Sequence, residues 1–123
     1  MTYRVLIADD EPGILVSLEF LMKREGYEVI IARDGNEALA AIRTERPVLA
    51  LLDVMMPGKS GFEVLQAVRA DDALAATKIV MLTAKGREAD AAKGTALGAD
   101  AYVTKPFSTR ELAERVRGLL GIG

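Results

Sequence analysis

Five polar residues stand within two positions of the ends of apolar runs in this sequence and could together carry out chemistry. They are two adjacent acids, a third acid, a hydroxyl and a lysine, namely Asp9, Asp10, Asp53, Thr83 and Lys105. Two carboxylates at about 4 Å repel by about 1 kcal/mol in water and by about 4 kcal/mol near a protein surface. A cation would relieve this repulsion, and oxygen ligands without histidine or cysteine favour a hard ion such as Mg²⁺.

The same residues suit phosphoryl transfer, in which a protein mainly positions groups and neutralises charge. Asp53 can act as a carboxylate nucleophile and form an aspartyl phosphate. Thr83 can donate a hydrogen bond to one phosphoryl oxygen, and Lys105 can pair with another as a positive point charge. Ala84 is small and would leave the entrance to such a site open.

The composition narrows the possible chemistry further. The chain has 123 residues and contains neither cysteine nor histidine, which excludes thiolate or imidazole ligands and histidine bases. Its formal net charge is −2 and it has no basic stripe, so we expect no direct binding of nucleic acid. No apolar run is long enough to cross a membrane and the N-terminus does not resemble a signal peptide, which favours a cytoplasmic location without a membrane partner.

Five short apolar runs predict the strands that must position these residues. Most of them show no alternation of apolar and polar side chains, which is typical of parallel strands covered on both faces. The length of the chain predicts a single domain over 1–123. The predicted strands cover 3–8, 28–32, 48–52, 78–82 and 101–103.

Helical patterns lie between the strands. Ile14, Leu18, Leu21 and Met22 would form the inner face of a first helix that Gly26 ends. Three later helices begin with a residue that can cap the helix and with a glutamate three positions further on. These pairs are Asp34 and Glu37, Ser60 and Glu63, and Ser108 and Glu111.

One further helix is predicted over 87–97, where Leu97 is the only large aliphatic residue. A helix there would bury little apolar area, so we expect it to be weakly held and to be the element that moves.

The alternation of strands and helices predicts an α/β fold, a three-layer (βα)5 sandwich around one parallel sheet. Of the two common doubly wound sheet orders, five strands favour the flavodoxin-like order 2-1-3-4-5. Strands one, three, four and five are consecutive neighbours in this order. Their carboxyl ends would therefore bring the five polar residues to one edge of the sheet, whereas strand two would contribute nothing obvious.

Five motifs, in this order, resemble the receiver (CheY-like) domain of bacterial two-component response regulators along essentially the whole chain. Each motif alone is a weak signal, but all five at predicted strand ends are highly specific. The motifs are Asp9-Asp10, Leu-Leu-Asp53-Val-Met-Met-Pro57-Gly, Thr83-Ala84, Gly98-Ala-Asp-Ala-Tyr102 and Lys105-Pro106-Phe107.

The resemblance implies that Asp53 is the phosphoacceptor and one of the ligands of a Mg²⁺ ion. It also implies that Asp10 binds the metal directly, that Asp9 assists, and that the main-chain carbonyl of Met55 is a further ligand.

A switch is implied as well, in which the ring of Tyr102 turns inward when Thr83 moves to the phosphate. The peptide between Lys105 and Pro106 would be cis, an isomer found in only about 5–6% of such bonds.

The implied donor is a phosphohistidine of a sensor histidine kinase or of a phosphotransfer protein. The domain would be a signalling switch that catalyses only its own phosphorylation and dephosphorylation, and not an enzyme. It would bind a downstream effector through the face made by the fourth helix, the fifth strand and the fifth helix. It would be a monomer or a phosphorylation-dependent homodimer, in which Asp100, Glu111 and Arg115 could form charge pairs, although Ala101 replaces a second acid common in such dimers.

Three other functions fit parts of the sequence. The main alternative is a degenerate receiver that acts as a constitutive protein-interaction module, against which the complete residue set argues. A flavodoxin-like domain that binds a small molecule would need a phosphate cradle after the first strand, where this chain has Asp-Asp-Glu-Pro. A phosphatase with an aspartate nucleophile would need a second acid two residues beyond Asp53, where this chain has Met55.

The site residues also have purely structural interpretations. Asp9, Asp10 and Glu11 could cap the first helix and favour its positive end, and Thr83 could cap a helix. Lys105 could form ion pairs with the acids without binding a ligand.

Overall fold

Five parallel strands form one sheet in the order β2-β1-β3-β4-β5, as predicted. A computed structural model of the protein describes residues 2–84, 92–93 and 96–122. The predicted helix over 87–97 lies mostly outside these residues, so the expectation that it moves stays a prediction. The strands are β1 (Arg4–Ala8), β2 (Glu28–Ala32), β3 (Leu49–Asp53), β4 (Lys78–Ala84) and β5 (Ala101–Lys105).

Helices cover both faces of the sheet and complete the predicted three layers. Side chains of the second and third helices along the chain pack on one face, against residues such as Leu52 and Met81. Side chains of the first and last helices pack on the other face, against residues such as Leu51 and Leu82. The helices are α1 (Pro12–Arg24), α2 (Gly35–Glu45), α3 (Gly61–Arg69) and α4 (Thr109–Leu120), with a 3-10 turn at Asp72–Leu74.

Three strands run further toward their carboxyl ends than the apolar runs predicted. β3 includes Asp53, β4 continues to Ala84 and β5 ends at Lys105. Asp53 pairs with Leu82 and Ala84 pairs with Lys105 in the parallel ladders. Backbone pairing does not depend on side-chain polarity, so the polar residues stand on the last rungs of the sheet instead of in the loops beyond it.

The predicted helix signals are present with small differences. Gly26 follows α1 with a φ of 92°, and the side chains of Asp34, Ser60 and Ser108 each accept a hydrogen bond from the amide three residues on. A complete capping box, with the reciprocal glutamate bond, is recorded at Ser60. On α1 the inner face includes Leu15, which is buried, whereas Ile14 is only half-buried.

Arg69, the last residue of α3, ties three parts of the chain together. Its guanidinium donates to the carbonyl oxygens of Gly98 and Thr77, both at 2.9 Å, and to the Asp100 carboxylate at 2.7 Å. The same carboxylate oxygen of Asp100 accepts from the Ile79 amide at 2.8 Å. Asp100, which the sequence offered for charge pairs in a dimer, is therefore engaged within the fold.

Replacement of Arg69 by Met is expected to lower the free energy of unfolding by about 2 kcal/mol, since hydrogen bonds to charged groups contribute about 1.5–3 kcal/mol. Arginine and methionine have similar helix propensities, so α3 itself should persist. Urea unfolding measures the change. Arg110→Met is the control, because Arg110 is 89% exposed and its pair with Glu114 should contribute at most about 0.5 kcal/mol. Equal losses in the two variants would contradict the assigned role of Arg69.

Candidate functional site

The register of the sheet brings Asp9, Asp53 and Lys105 to one place. Asp9 is the residue after β1, and because Ala8 pairs with Leu52, Asp9 stands level with Asp53. Side chains alternate between the two faces of a strand. Since the residues two positions before these three pack on the side of α1 and α4, the three side chains emerge toward that side.

The three acids form a cluster with carboxylate oxygens within 4.8 Å of one another. Asp9 is completely buried, Asp53 is 5% exposed, and Asp10 is exposed at the surface of the cluster. The acids that the sequence placed at one sheet edge are thus close enough to share a cation, and this group of three is the candidate metal site among the described residues.

Lys105 supplies the positive charge of the cluster. Its ammonium lies 2.8 Å from Asp9 Oδ2, 3.4 Å from Glu11 Oε1 and 3.5 Å from Asp53 Oδ1. Burial lowers the pKa of Lys105, but the hydrogen bond with Asp9 and the nearby carboxylates outweigh it and leave the pKa raised. Lys105 is therefore held in its charged form, and Glu11, to which the sequence gave no role at the site, contributes to that.

Asp53 is an acid in an unfavourable position for its charge. Burial raises its pKa and the charge of Asp9 raises it further, whereas Lys105 and the Met55 amide lower it, with a net pKa of about 6. The Met55 amide lies 3.4 Å from Asp53 Oδ1. The negative charge of Asp53 is therefore poorly compensated, and a cation beside it would be bound favourably.

Asp9 and Asp10 differ in what their carboxylates can do. One oxygen of Asp9 accepts from the Glu11 amide at 2.9 Å, and the other accepts from Lys105 at 2.8 Å. Both oxygens of Asp9 are thus engaged within the protein. The neighbouring carboxylate of Asp10 is exposed to solvent.

Thr83 and Tyr102 lie on the opposite face of the sheet, toward α2 and α3. Ile79 and Met81 of β4 pack on that face, so Thr83, two positions further along the strand, points the same way. Tyr102 pairs with Met81 in the ladder and packs against the same cluster. Thr83 is buried and Tyr102 is half-buried. The two residues therefore share a face of neighbouring strands, with Thr83 two positions nearer the carboxyl edge of the sheet.

Gly35 and Gly61, the first residues of α2 and α3, allow the backbone on either side of the β3–α3 loop to approach closely. These close approaches were not predicted from the sequence. A Cβ on Gly61 would lie 2.3 Å from the carbonyl oxygen of Asp53, and a Cβ on Gly35 would lie 1.9 Å from that of Lys59. A signal was present in the sequence, because each glycine directly follows an N-cap residue at a position where alanine would favour the helix more.

The backbone around the site confirms one further expectation. The peptide between Lys105 and Pro106 is cis, as the resemblance implied. Of the adjacent residues Met55 and Met56, Met56 is buried in the core, whereas Met55 is 59% exposed.

Comparison with known proteins gives the class to which this fold and site belong. Residues 5–117 match the response regulator receiver domain family. Three solved structures are similar over nearly their whole length. A Chloroflexus aurantiacus protein described as a response regulator has a TM-score of 0.94 and 35% identity, with 98% of this chain and 99% of that chain covered. A CheY-like receiver domain protein from Methanospirillum hungatei has a TM-score of 0.91 and 35% identity, covering 98% and 95%. The chemotaxis protein CheY4 of Vibrio cholerae has a TM-score of 0.89 and 34% identity, covering 97% and 99%.

The chain belongs to the response regulator receiver domain family. Receiver domains are signalling switches of two-component systems, and membership implies interaction with a histidine kinase or a phosphotransfer partner. Among the residues that the structure describes, no helix has the length and apolar character to cross a membrane.

Proposed function

We propose that this receiver domain accepts a phosphoryl group on Asp53 from the phosphohistidine of a sensor histidine kinase or phosphotransfer protein, in a reaction that requires Mg²⁺. The single observation that carries the proposal is the position of Asp53. Asp53 is the last residue of β3, and its carboxylate lies within 4.8 Å of carboxylate oxygens of Asp9 and Asp10. The Lys105 ammonium lies 3.5 Å from Asp53 Oδ1.

The residues at this site fit a magnesium ion. All candidate ligands are oxygens, and the poorly compensated charge of Asp53 favours a cation. Asp10 and Asp53 would bind the ion directly, Asp9 would assist because both of its oxygens are engaged, and the main-chain carbonyl of Met55 would complete the protein's ligands. When bound, Mg²⁺ would neutralise charge on the carboxylates and on the phosphoryl oxygens.

The chain's own residues then carry the transfer. An oxygen of Asp53 attacks the phosphorus, a new O–P bond forms, and the P–N bond breaks with its electron pair returning to the donor imidazole. Lys105 is already charged and lies close enough to pair with a phosphoryl oxygen. Thr83, at the end of the neighbouring strand, can donate a hydrogen bond to another.

Phosphorylation would be read out through Thr83 and Tyr102. The two side chains share a face of the sheet, so a shift of Thr83 toward the phosphate would open space into which the Tyr102 ring can turn. The Lys93 ammonium lies 4.7 Å from the ring centroid of Phe62, in the first turn of α3. Typical coupling of about 1–3 kcal/mol would change effector affinity about 5–150-fold.

The remaining expectations from the sequence complete the proposal. Residues 1–123 would form a single receiver domain that catalyses only its own phosphorylation and dephosphorylation. It would act in the cytoplasm, as a monomer or a phosphorylation-dependent homodimer. Its effector would bind at the face made by the predicted helix over 87–97, by β5 and by α4, which is the fifth of the predicted helices. A degenerate receiver that works only by constitutive contact is not favoured, because the acids and the lysine are present and close together.

Incubation with acetyl phosphate and Mg²⁺ is expected to add one phosphoryl group, seen by mass spectrometry of the intact protein. Asp53→Asn should gain none, because the nucleophile is lost, and EDTA should prevent the gain in the wild type. Asp72→Asn is a matched control, since Asp72 is an exposed acid in the 3-10 turn that precedes β4 and should leave the gain unchanged. Absence of any gain in the wild type with several phosphodonors would contradict the proposal and support the degenerate receiver.

A further inference from the structure

The first turn of α2 contacts the loop over 54–60 that connects β3 to α3. α2 begins at Gly35, after the N-cap residue Asp34, whose side chain accepts from the Glu37 amide at 2.8 Å. The first amides of a helix have no partner within the helix. The amide of Gly35 donates to the carbonyl oxygen of Pro57 at 3.2 Å, so the end of α2 supports the middle of the loop.

This contact requires glycine because of space. A Cβ on Gly35 would lie 1.9 Å from the carbonyl oxygen of Lys59 and 2.5 Å from its carbonyl carbon. Both distances are shorter than 3.0 Å, the shortest non-bonded separation that Cβ atoms normally show. The atoms in the way belong to the backbone, which cannot move aside as a flexible side chain can. Gly35 is not among the glycines with positive φ, so its backbone conformation does not itself demand glycine.

The other contacts of the loop leave little freedom for it to adjust. At its start, the Val54 amide donates to the Leu82 carbonyl of β4 at 2.9 Å. At its end, the Gly61 amide donates to the Val54 carbonyl, also at 2.9 Å. A displacement at Lys59 and Pro57 must therefore be absorbed by the few residues between these anchors, and Met55 is one of them.

We propose that Gly35 is a positioning residue for the metal site, although it begins α2, a helix that contributes no ligand. The missing side chain lets the loop seat against α2, and the seated loop holds the Met55 carbonyl beside Asp53. This inference rests on the proposed function for the identity of the metal. It assigns to α2 a role in setting the affinity of the site for Mg²⁺.

Gly35→Ala tests the inference. Because alanine has a higher helix propensity than glycine, weaker Mg²⁺ binding in this variant could not be explained by a loss of helix propensity in α2. The variant is expected to bind Mg²⁺ about 10-fold more weakly in calorimetric titrations. Hydrogen exchange of the amides over 54–60 should become faster. With acetyl phosphate, the Mg²⁺ concentration for half-maximal phosphorylation should rise by the same factor, while the rate at saturating Mg²⁺ changes less than twofold.

Gly118→Ala is the matched control, since Gly118 lies within α4 and its added Cβ would have no atom within 4 Å. It should leave the Mg²⁺ affinity unchanged. If Gly35→Ala does not fold, Asp34→Ala loosens the same helix end without adding atoms and should weaken Mg²⁺ binding two- to threefold, whereas the corresponding cap variant Ser108→Ala should not.

The outcomes separate this inference from the proposed function. Wild-type Mg²⁺ affinity in folded Gly35→Ala, or in Asp34→Ala where only that variant folds, overturns the inference whether or not Asp53 is phosphorylated. Weaker Mg²⁺ binding in these variants, with unchanged Mg²⁺ binding in the two control variants, supports the inference. A wild type that binds Mg²⁺ but takes no phosphoryl group contradicts the proposed function and leaves the positioning role of Gly35 in place.

Discussion

Replacement of Lys105 by Met is expected to lower the free energy of unfolding by about 2–4 kcal/mol at pH 7.5 in EDTA. Methionine keeps most of the length of the lysine stem and removes only the charge. The ammonium lies 2.8 Å from the completely buried carboxylate of Asp9, with Asp53 and Glu11 within 3.5 Å. Loss of one partner of a buried ion pair costs about 3–5 kcal/mol, because the other charge is left uncompensated. The partial exposure of Lys105 and of Glu11 reduces this figure.

Urea unfolding of the wild type and Lys105→Met measures the loss. Addition of Mg²⁺ should restore part of it, because a cation at the same acids replaces some of the missing positive charge. Lys23→Met is the control, since Lys23 forms an exposed pair with Glu19 along α1 that should contribute at most about 0.5 kcal/mol. If Lys105→Met and Lys23→Met lost the same stability, Lys105 would have no role in balancing the acid cluster.

Asp53→Asn is expected to raise the free energy of unfolding by about 2 kcal/mol at pH 8 in EDTA, whereas Lys105→Met lowers it. Burial and the charge of Asp9 raise the pKa of Asp53 from an ordinary 3.8 to about 6 in the folded protein. A difference of about two pKa units corresponds to about 3 kcal/mol at about 1.4 kcal/mol per unit. Asparagine has a similar shape without the charge, and we expect somewhat less than the full figure because the cluster can rearrange.

The pH dependence follows from the direction of this shift. The folded protein binds the Asp53 proton more tightly than the unfolded chain, so the penalty is complete above about pH 6 and disappears as the pH falls toward 4. The advantage of Asp53→Asn should therefore be largest at pH 8 and small near pH 4. Urea unfolding at several pH values in EDTA measures it.

The exposed acid Asp72, in the 3-10 turn, provides the control for this prediction. Asp72→Asn should change the free energy of unfolding by at most about 0.5 kcal/mol. Mg²⁺ should reverse the order of stability, because the wild type retains the carboxylate that binds the ion. An advantage of Asp53→Asn that is equal at pH 8 and pH 4 would show that the charge of Asp53 is not the cause.

The expected effects of these two variants have one physical cause, a buried cluster with more negative than positive charge. Asp9 and Asp53 are buried side by side, and one lysine compensates for both. A bound cation would offset part of this repulsion between the two carboxylates. Such conflicts between folding and charge are expected where a protein carries out its function.

Local patterns in the sequence determined the sheet and most of the helix ends. Apolar runs without alternation indicate strands that are buried on both faces. The number of strands then favoured the order 2-1-3-4-5, which the structure confirms. Asp34, Ser60 and Ser108 cap their helices through bonds to amides three residues away, so a short window of sequence predicts them. The motifs that identify the family are local in the same sense.

Only the tertiary structure decided which side chains meet. The contacts of Lys105 with Glu11, of Arg69 with Asp100 and of Gly35 with Lys59 join residues far apart in the chain or on different elements. They depend on strand register and on helix positions to within about an ångström, and residue types alone do not encode these. The strands also extend to Asp53 and Lys105 because backbone pairing continues regardless of side-chain polarity, whereas the sequence pattern records only burial.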